Sequence, residues 1–338
     1  MKAWKATAPD NVVMEQYPPR EVGKGQVKLK MYASAIGDTE MMMYQGKFGM
    51  KRFPIILGRQ GVGMVSEVGE GVTDLKRGDR VYVRPQTYCG ECSKCTSGRE
   101  EECEHVRTYG KTIDGLLCDF VVVPAANLYK LPDRVSNDEA VFLEMIALAK
   151  STIDQLKVSG GKYVVISGAS CLGLLIAQTA IYYQAVPIVL DVNEDRLAIA
   201  ERLGIYYTVN VGKEDFYKKI FAITGGKLAD AAVYTLPAVI PVQRLFDTVM
   251  SGGRAVFTAI ESTDREMTVN LSFILEKNVT LGMISSVGVN IPAAINMLVG
   301  HQVNVKPFIS KCPFAEVGQY LEKCLFEPTR YMFLIVSI

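Results

Sequence analysis

The pattern of apolar and polar positions changes character twice along the chain. Up to Ser136 it consists of short β-branched runs broken by glycine and proline. VKLKMYAS alternates apolar and polar residues, GVGMVSEVGEGV is glycine-punctuated, and DRVYVRP and CDFVVVPAANLYKLP continue the strand pattern. Gly78-Asp79 and the prolines Pro85, Pro124 and Pro132 mark turns and strand ends. SNDEAVFLEMIALAKSTIDQL then opens a helix at Ser136, with a capping-type residue and acids in its first turn. From Lys162, strands (KYVVISG, PIVLDV, YYTVN, DAAVYTL, RAVFTAI, NVTLGMI) alternate with helices such as Cys171 to Gln184 and EDRLAIAERLG. Such alternation predicts an α/β domain with a parallel, doubly wound sheet and right-handed crossovers. PAAINMLVG and the final MFLIVSI return to the first style. The expected layout is a β-rich domain built from residues 1–153 and 290–338, with a nucleotide-type domain inserted at 154–289.

Composition narrows the class. The 338 residues suffice for two domains with ample cores, and 37 basic against 36 acidic side chains leave no field to hold nucleic acid or an anionic membrane. No 18-residue apolar run occurs, and the start, MKAWKATAPD, lacks the apolar stretch of a signal peptide, so a cytoplasmic location is expected. Only two histidines are present, His105 and His301, and solvated positions are expected for both. This scarcity limits any mechanism, because histidine is the usual base near neutral pH.

Four of the eight cysteines stand close together: Cys89, Cys92, Cys95 and Cys103, in TYCGECSKCTSGREEECEH. The spacing suits a closed, tetrahedral, structural zinc site with no position open for chemistry. Buried thiols or disulfides are the plainer alternatives, but the flanking Glu91, Lys94, Arg99, Glu100, Glu101 and Glu102 make poor core. Cys118, Cys171, Cys312 and Cys324 are scattered, as expected of a reducing compartment.

A strand, a turn and a helix meet at GASCLG, residues 168–173. This matches G-x-G-x-x-G with Gly168 and Gly173 kept and Ser170 in the middle place, where a small residue lets backbone approach a pyrophosphate. Asp191 ends the next strand, where an acid accepts from ribose hydroxyls and repels a 2′-phosphate. NAD(H) is therefore expected, while Arg196 keeps NADP(H) open. Gly168, Ser170, Leu172, Gly173, Asp191 and Arg196 form the expected cofactor set. The plainer alternatives are an ordinary glycine turn and a helix-capping role for Asp191.

With these motifs, FPIILGRQGVGMVSEVGEGV, GDRVYVRP, DGLLCDFVVVPAANLYKLPD and LDVNEDRLAIAERLG, the chain resembles the zinc-containing alcohol and polyol dehydrogenases of the medium-chain dehydrogenase/reductase superfamily. The resemblance spans essentially the whole length. It implies a GroES-like catalytic domain with a structural zinc lobe at about 86–106, a Rossmann cofactor domain, a cleft between them, and homodimers or homotetramers. A second, catalytic zinc is normal in this branch, and here the matching residues differ. SAIGDTE places Gly37 at the cysteine ligand, Gly58-Arg59-Gln60 replaces Gly-His-Glu, and a further ligand position maps onto Glu144. The aspartate near the metal becomes Glu40, and a histidine that relays protons in some members falls at Met42. Arginine cannot deprotonate to bind metal and opposes a cation, so no catalytic zinc is expected.

Hydride chemistry belongs to the cofactor, which leaves the protein to orient substrate and handle charge on its oxygen. Arg59 could donate to an oxyanion where relatives use the metal, and Thr39 matches the family's proton-passing hydroxyl. Asp38, Glu40 and Glu144 are candidate acids or bases. The plainer reading pairs Arg59 with one of these acids as a filler of the emptied cavity. Met41, Met42, Met43 and Tyr44 are expected either to flank the cleft or to pack as core, with Tyr44 a candidate proton donor and Val287 to Ile291 a second wall. The leading expectation is an NAD(H)-dependent oxidoreductase acting on a carbonyl, alcohol, or polarised C=C or C=N compound with one structural zinc. Its rivals are a non-catalytic dinucleotide-binding protein and a conventional zinc dehydrogenase using Asp38, Glu40 and Glu144 as ligands.

Overall fold

A computed structural model describes residues 1–18, 20–47, 52–235, 239–258, 268–284, 290–327 and 331–338. The chain divides into two compact units, Met1–Glu144 with Phe308–Ile338, and Met145–Pro307. The sequence pattern predicts the divisions at 153/154 and 289/290. The difference lies in two helices: most of Leu143–Leu156 and all of Ile291–Val299 belong to the second unit. The predicted helix from Ser136 is also two helices, Asn137–Ala140 and Leu143–Leu156. Ser136 caps the first, with Oγ accepting from Glu139 N and the Glu139 carboxylate accepting from Ser136 N.

The first unit is built on a seven-stranded sheet. Its main path runs Leu128–Lys130, Arg80–Val83, Gly61–Val68, Gln26–Ile36, Phe333–Ser337, Ile309–Pro313, and Phe120–Pro124 pairs with the first half of Gln26–Ile36. Alternation in these strands buries Val27, Leu29 and Met31 on one face with Val65, Val81 and Val123. The C-terminal strand Phe333–Ser337 pairs antiparallel with Gln26–Ile36, so the two ends of the chain share one sheet. A smaller three-stranded sheet carries Asn11–Gln16, Lys2–Ala8 and Ile55–Ile56. Two-residue strands Gln86–Thr87 and Arg107–Thr108 pair at the base of the cysteine loop.

The second unit is a six-stranded parallel sheet in the order Tyr207–Asn210, Val186–Asp191, Tyr163–Ser167, Ala229–Tyr234, Val249–Thr258, Thr280–Ile284. This is the doubly wound 3-2-1-4-5-6 order, which places a dinucleotide beyond the carboxyl ends of the strands where the order reverses. Continuous apolar runs account for the central strands: Val164, Val165, Ile166, Ile188, Val189 and Leu190 are fully buried. Of the second wall expected from sequence, Val287 to Val289 lie outside the described residues. Among the described residues, no helix is long and apolar enough to cross a membrane.

Candidate functional site

The cysteine loop closes on itself as the spacing predicts. The four sulfurs of Cys89, Cys92, Cys95 and Cys103 all lie within 4.8 Å of one another. Zinc–sulfur bonds of about 2.3 Å set the sulfurs on a tetrahedron with edges of about 3.8 Å. The Cys89–Cys103, Cys89–Cys95 and Cys92–Cys103 separations are 3.5, 3.8 and 3.9 Å, so the four fit that ion. Backbone N–H groups of Cys89 and His105 donate to Cys103 Sγ, and that of Cys92 donates to Cys89 Sγ. Such donors favour thiolate: Cys92 is brought down to about 6, mainly by the Cys95 N–H, and Cys103 is also lowered, mainly by the Cys89 N–H. The His105 side chain is exposed and stands outside the cluster, and His301 is exposed too.

The glycine turn has the geometry its motif requires. Gly168 has φ of 119°, and a side chain at Gly173 would place Cβ 1.9 Å from Gly168 O. Only glycine lets the helix Cys171–Tyr182 approach its strand so closely. Ser170 is the N-cap of that helix, its Oγ accepting from Gly173 N at 3.2 Å, and Leu172 lies in the first turn. Asp191 is buried and links the glycine turn to the turn after its own strand, with Oδ2 accepting from Ala169 N at 2.7 Å and Oδ1 from Asn193 N at 2.9 Å. Each oxygen keeps a second acceptor site for a ribose hydroxyl. The capping role considered for Asp191 belongs to Asn193, whose Oδ1 accepts from Arg196 N. Arg196 Nε is buried without a partner among the described residues. A cradle closed to any Cβ, an acid with free lone pairs and an orphaned cation donor together suit a dinucleotide.

The third constellation lies in the first unit, around Arg59, where the family resemblance leads one to expect a catalytic metal. Gly58 has φ of +94°, and a Cβ there would meet Leu117 N at 2.7 Å, so a glycine must precede Arg59. Leu116 N donates to Gly58 O, and Ser34 Oγ donates to Gln60 O at 2.9 Å, which pins Arg59 between two anchored neighbours. Arg59 Nη2 donates to both carboxylate oxygens of Glu144, at 2.8 and 3.1 Å, with both side chains about 5% exposed. Gln86 Nε2 adds a bond to Glu144 Oε1 at 3.2 Å. Of the three acids considered as partners for Arg59, Glu144 holds the guanidinium, both of its oxygens accepting from the one nitrogen. Asp38 is exposed at the first position of the helix Asp38–Tyr44, and Glu40 turns back so that Oε2 accepts from Gly37 N at 2.9 Å.

At Gly37 a Cβ would lie 3.0 Å from the Phe333 ring, so an aromatic side chain fills the room a larger residue would need. Thr39 is half-buried in the same helix. Met43 and Tyr44 are buried, Met41 packs against the same core, and Tyr44 Oη donates to Asp10 O at 2.8 Å. The core reading therefore holds for these residues, and the Tyr44 hydroxyl is already committed. Sequence reading missed Gln86 and Tyr82. Both are buried polar residues, and Tyr82 stands close enough to Glu144 that burial and that charge together push its phenol well above the usual range.

Two family patterns match the chain: the alcohol dehydrogenase GroES-like domain over residues 23–133 and the zinc-binding dehydrogenase domain over 171–299. An uncharacterized zinc-type alcohol dehydrogenase-like protein of Haemophilus influenzae is 31% identical over 98% of this chain and 97% of its own. An L-threonine 3-dehydrogenase of Escherichia fergusonii is 30% identical over 77% of each chain. Among solved structures, an oxidoreductase/dehydrogenase of unknown specificity from Escherichia coli superposes with a TM-score of 0.92 at 25% identity, covering 100% of this chain and 99% of the other. By whole-length likeness and by both domains, this chain is an oxidoreductase of the zinc-type alcohol dehydrogenase family, within the medium-chain dehydrogenase/reductase superfamily.

Proposed function

We propose that this enzyme moves hydride between NAD(H) and a small carbonyl or alcohol substrate without a catalytic zinc, with Arg59 facing the substrate oxygen in the metal's place. The observation that carries this reading is the buried Arg59–Glu144 pair at the positions matched to metal ligands. A permanent cation tied to Glu144, a carboxylate at a ligand position, makes a poor zinc site. The same guanidinium has the charge and rigidity to stabilise an oxyanion. Thr39, half-buried in the adjoining helix, keeps the family's proton-passing hydroxyl, and Asp38 at the exposed end of that helix opens the path toward solvent. Gly168, Ser170, Leu172, Gly173 and Asp191 hold the cofactor, and Arg196 is the residue to replace when NAD(H) and NADP(H) are compared. The enzyme is cytoplasmic and homo-oligomeric in this reading, and its partner is a small-molecule substrate rather than nucleic acid or membrane.

Elemental mass spectrometry of undialysed protein tests the metal count, and light scattering on the same sample gives the subunit number. About one zinc per subunit is expected, set by the four cysteines. About two would show that the Arg59 region still holds metal and would end the zinc-free mechanism. NADH fluorescence titration tests the cofactor site through Gly173→Ala. Forcing Cβ toward Gly168 O overpacks the turn by about 1–3 kcal/mol, so NADH affinity should fall at least tenfold while the first unit stays folded. Wild-type NADH affinity in this variant would move the cofactor elsewhere.

A further inference from the structure

In the first unit, residues from the base of the cysteine loop and from 113–115 wall a cavity of about 300 Å³. Small-molecule sites usually measure about 300–1,000 Å³. None of its lining residues belongs to the Arg59–Glu144 constellation or to the glycine turn. Its charged side chains are nearly of one sign: Arg20, Arg52 and Arg107 are set against a single acid, Asp114, among the described residues. Asp114 is answered on both oxygens, Oδ2 accepting from Arg20 Nη2 at 3.2 Å and Oδ1 from Ile56 N at 3.3 Å. Arg52 Nη1 donates to Thr112 O at 3.4 Å. Residues 112–114 thus tether two guanidinium groups by one nitrogen each and leave the rest of each fork for another acceptor. Arg107 makes no hydrogen bond or ion pair among the described residues.

Exposed arginines alone make a solvated face, but two buried hydroxyls set this one apart. Thr87 is 3% exposed and Tyr109 5%, both line the cavity, and neither hydroxyl has a hydrogen-bond partner among the described residues. The register that pairs Thr87 with Arg107 puts these two side chains on one face of their strand pair. The charge of Arg107 also acts on Tyr109, yet burial pushes that phenol up to about 12, so it bears its proton near neutral pH and can donate. Buried hydroxyls are ordinarily paired, and the cavity is where an acceptor for both would sit. Arg20, Val121 and Val122 are shared with an adjoining cavity of about 190 Å³, whose wall adds Phe120. The further cation there, Lys28, stands 3.9 Å from Glu67 and so adds no excess charge.

We propose that the cavity binds a small phosphate monoester, with the phosphate held by Arg20, Arg52, Arg107, Thr87 and Tyr109 and the organic group laid against Phe120, Val121 and Val122. Guanidinium groups and hydroxyls alike offer protons here, so the bound end of the ligand must accept hydrogen bonds. Three arginines against one aspartate leave an excess of two positive charges among the lining side chains. A phosphate monoester meets both demands, with three acceptor oxygens and about two negative charges near neutral pH. Its oxygens also suit the planar fork of arginine. A lone carboxylate answers only half of the charge. The apolar wall asks for a hydrocarbon or aromatic ester group rather than for inorganic phosphate.

Calorimetric titration of the zinc-loaded protein tests the site, with NADH present so that phosphate binding at the glycine turn is suppressed. The probe is phenyl phosphate, compared with inorganic phosphate and succinate. One equivalent of phenyl phosphate per subunit should bind. Arg107→Gln removes an exposed side chain that holds nothing else, and should weaken binding at least about tenfold, the worth of a hydrogen bond to a charged group. Tyr109→Phe removes one hydroxyl and should weaken it about threefold or more. Inorganic phosphate should bind about tenfold or more weakly than phenyl phosphate because it leaves the apolar wall bare, and Phe120→Ala should narrow that gap. Phenyl phosphate should raise the melting temperature of the wild type and not that of Arg107→Gln, while the two melt alike without it, which separates lost binding from a lost fold. No binding of phenyl phosphate, or binding unaltered in both Arg107→Gln and Tyr109→Phe, overturns the site. Succinate bound as tightly as phenyl phosphate overturns the phosphate class. Inorganic phosphate bound as tightly overturns the place given to the organic group.

Discussion

Arg59→Ala is expected to destabilise the first unit by about 3–5 kcal/mol and to abolish turnover. The stability loss follows from Glu144, which is 3% exposed and would keep its charge with only the Gln86 amide to answer it. A change of that size lowers the melting temperature of a domain of this length by roughly 10 °C or more. Removing both charges together, as Arg59→Met with Glu144→Gln, should restore most of the stability, because an apolar or neutral replacement avoids the unpaired charge. Turnover should remain depressed by about 100- to 1,000-fold in the double variant, the range for losing one oxyanion donor. NADH affinity should be unaltered in both, since the glycine turn and Asp191 belong to the other unit. The double variant is the informative one. If it is stable and turns over like the wild type, Arg59 only fills a vacated metal site, and the substrate oxygen is handled elsewhere.

What the sequence reveals about these sites follows from how local each signal is. Four cysteines within one loop announce a metal because their geometry is decided within that loop. The strand–turn–helix at GASCLG is legible for the same reason, down to the glycine that no side chain could replace at position 173. Arg59 shows its anomaly in sequence but not its partner. Three acids are open from sequence, and the fold brings one to the guanidinium from far away: Glu144 arrives from a helix 85 residues away in sequence, while Glu40 reaches back to Gly37 N. Gln86 and Tyr82 carry no sequence signal, since a glutamine in a two-residue strand or a tyrosine in an alternating one usually faces water or core. Only their burial beside a charge pair marks them. The Met41–Tyr44 run misleads in the other direction, because adjacent apolar residues on a helix suit a cleft and a core equally well, and here the hydrophobic cluster claims Met41 and Tyr44. The unit boundary differs for a related reason: the helix Leu143–Leu156 has its first two residues in one unit, which ends at Glu144, and continues in the other.

Removing the metal from the cysteine loop is expected to unfold that loop while both units persist. Between Cys89 and Cys103 the regular structure is one four-residue helix, Ser93–Thr96, and the 3-10 turn Glu100–Glu102. Helices this short do not hold themselves in water. Cys95 and Cys103 are buried, but Glu91, Ser93, Lys94 and Thr96 to Glu102 are exposed or half-exposed, so no apolar core replaces the ion. The surface ion pairs Lys94–Glu102 and Arg99–Glu102 add less than about 1 kcal/mol each. Structural zinc in small peptides supplies about 10–16 kcal/mol, and in such systems binding free energy is folding free energy. Trypsin gives a direct readout because Lys94 and Arg99 lie inside the loop. Intact protein should resist cleavage at both, whereas chelated protein or Cys95→Ser should be cut there first, at least tenfold faster, with the parallel sheet still folded by circular dichroism. Readdition of zinc should restore resistance to the chelated protein but not to the variant. Equal cleavage in all three would mean that the loop is held by packing and that the four sulfurs meet without a metal to bring them together.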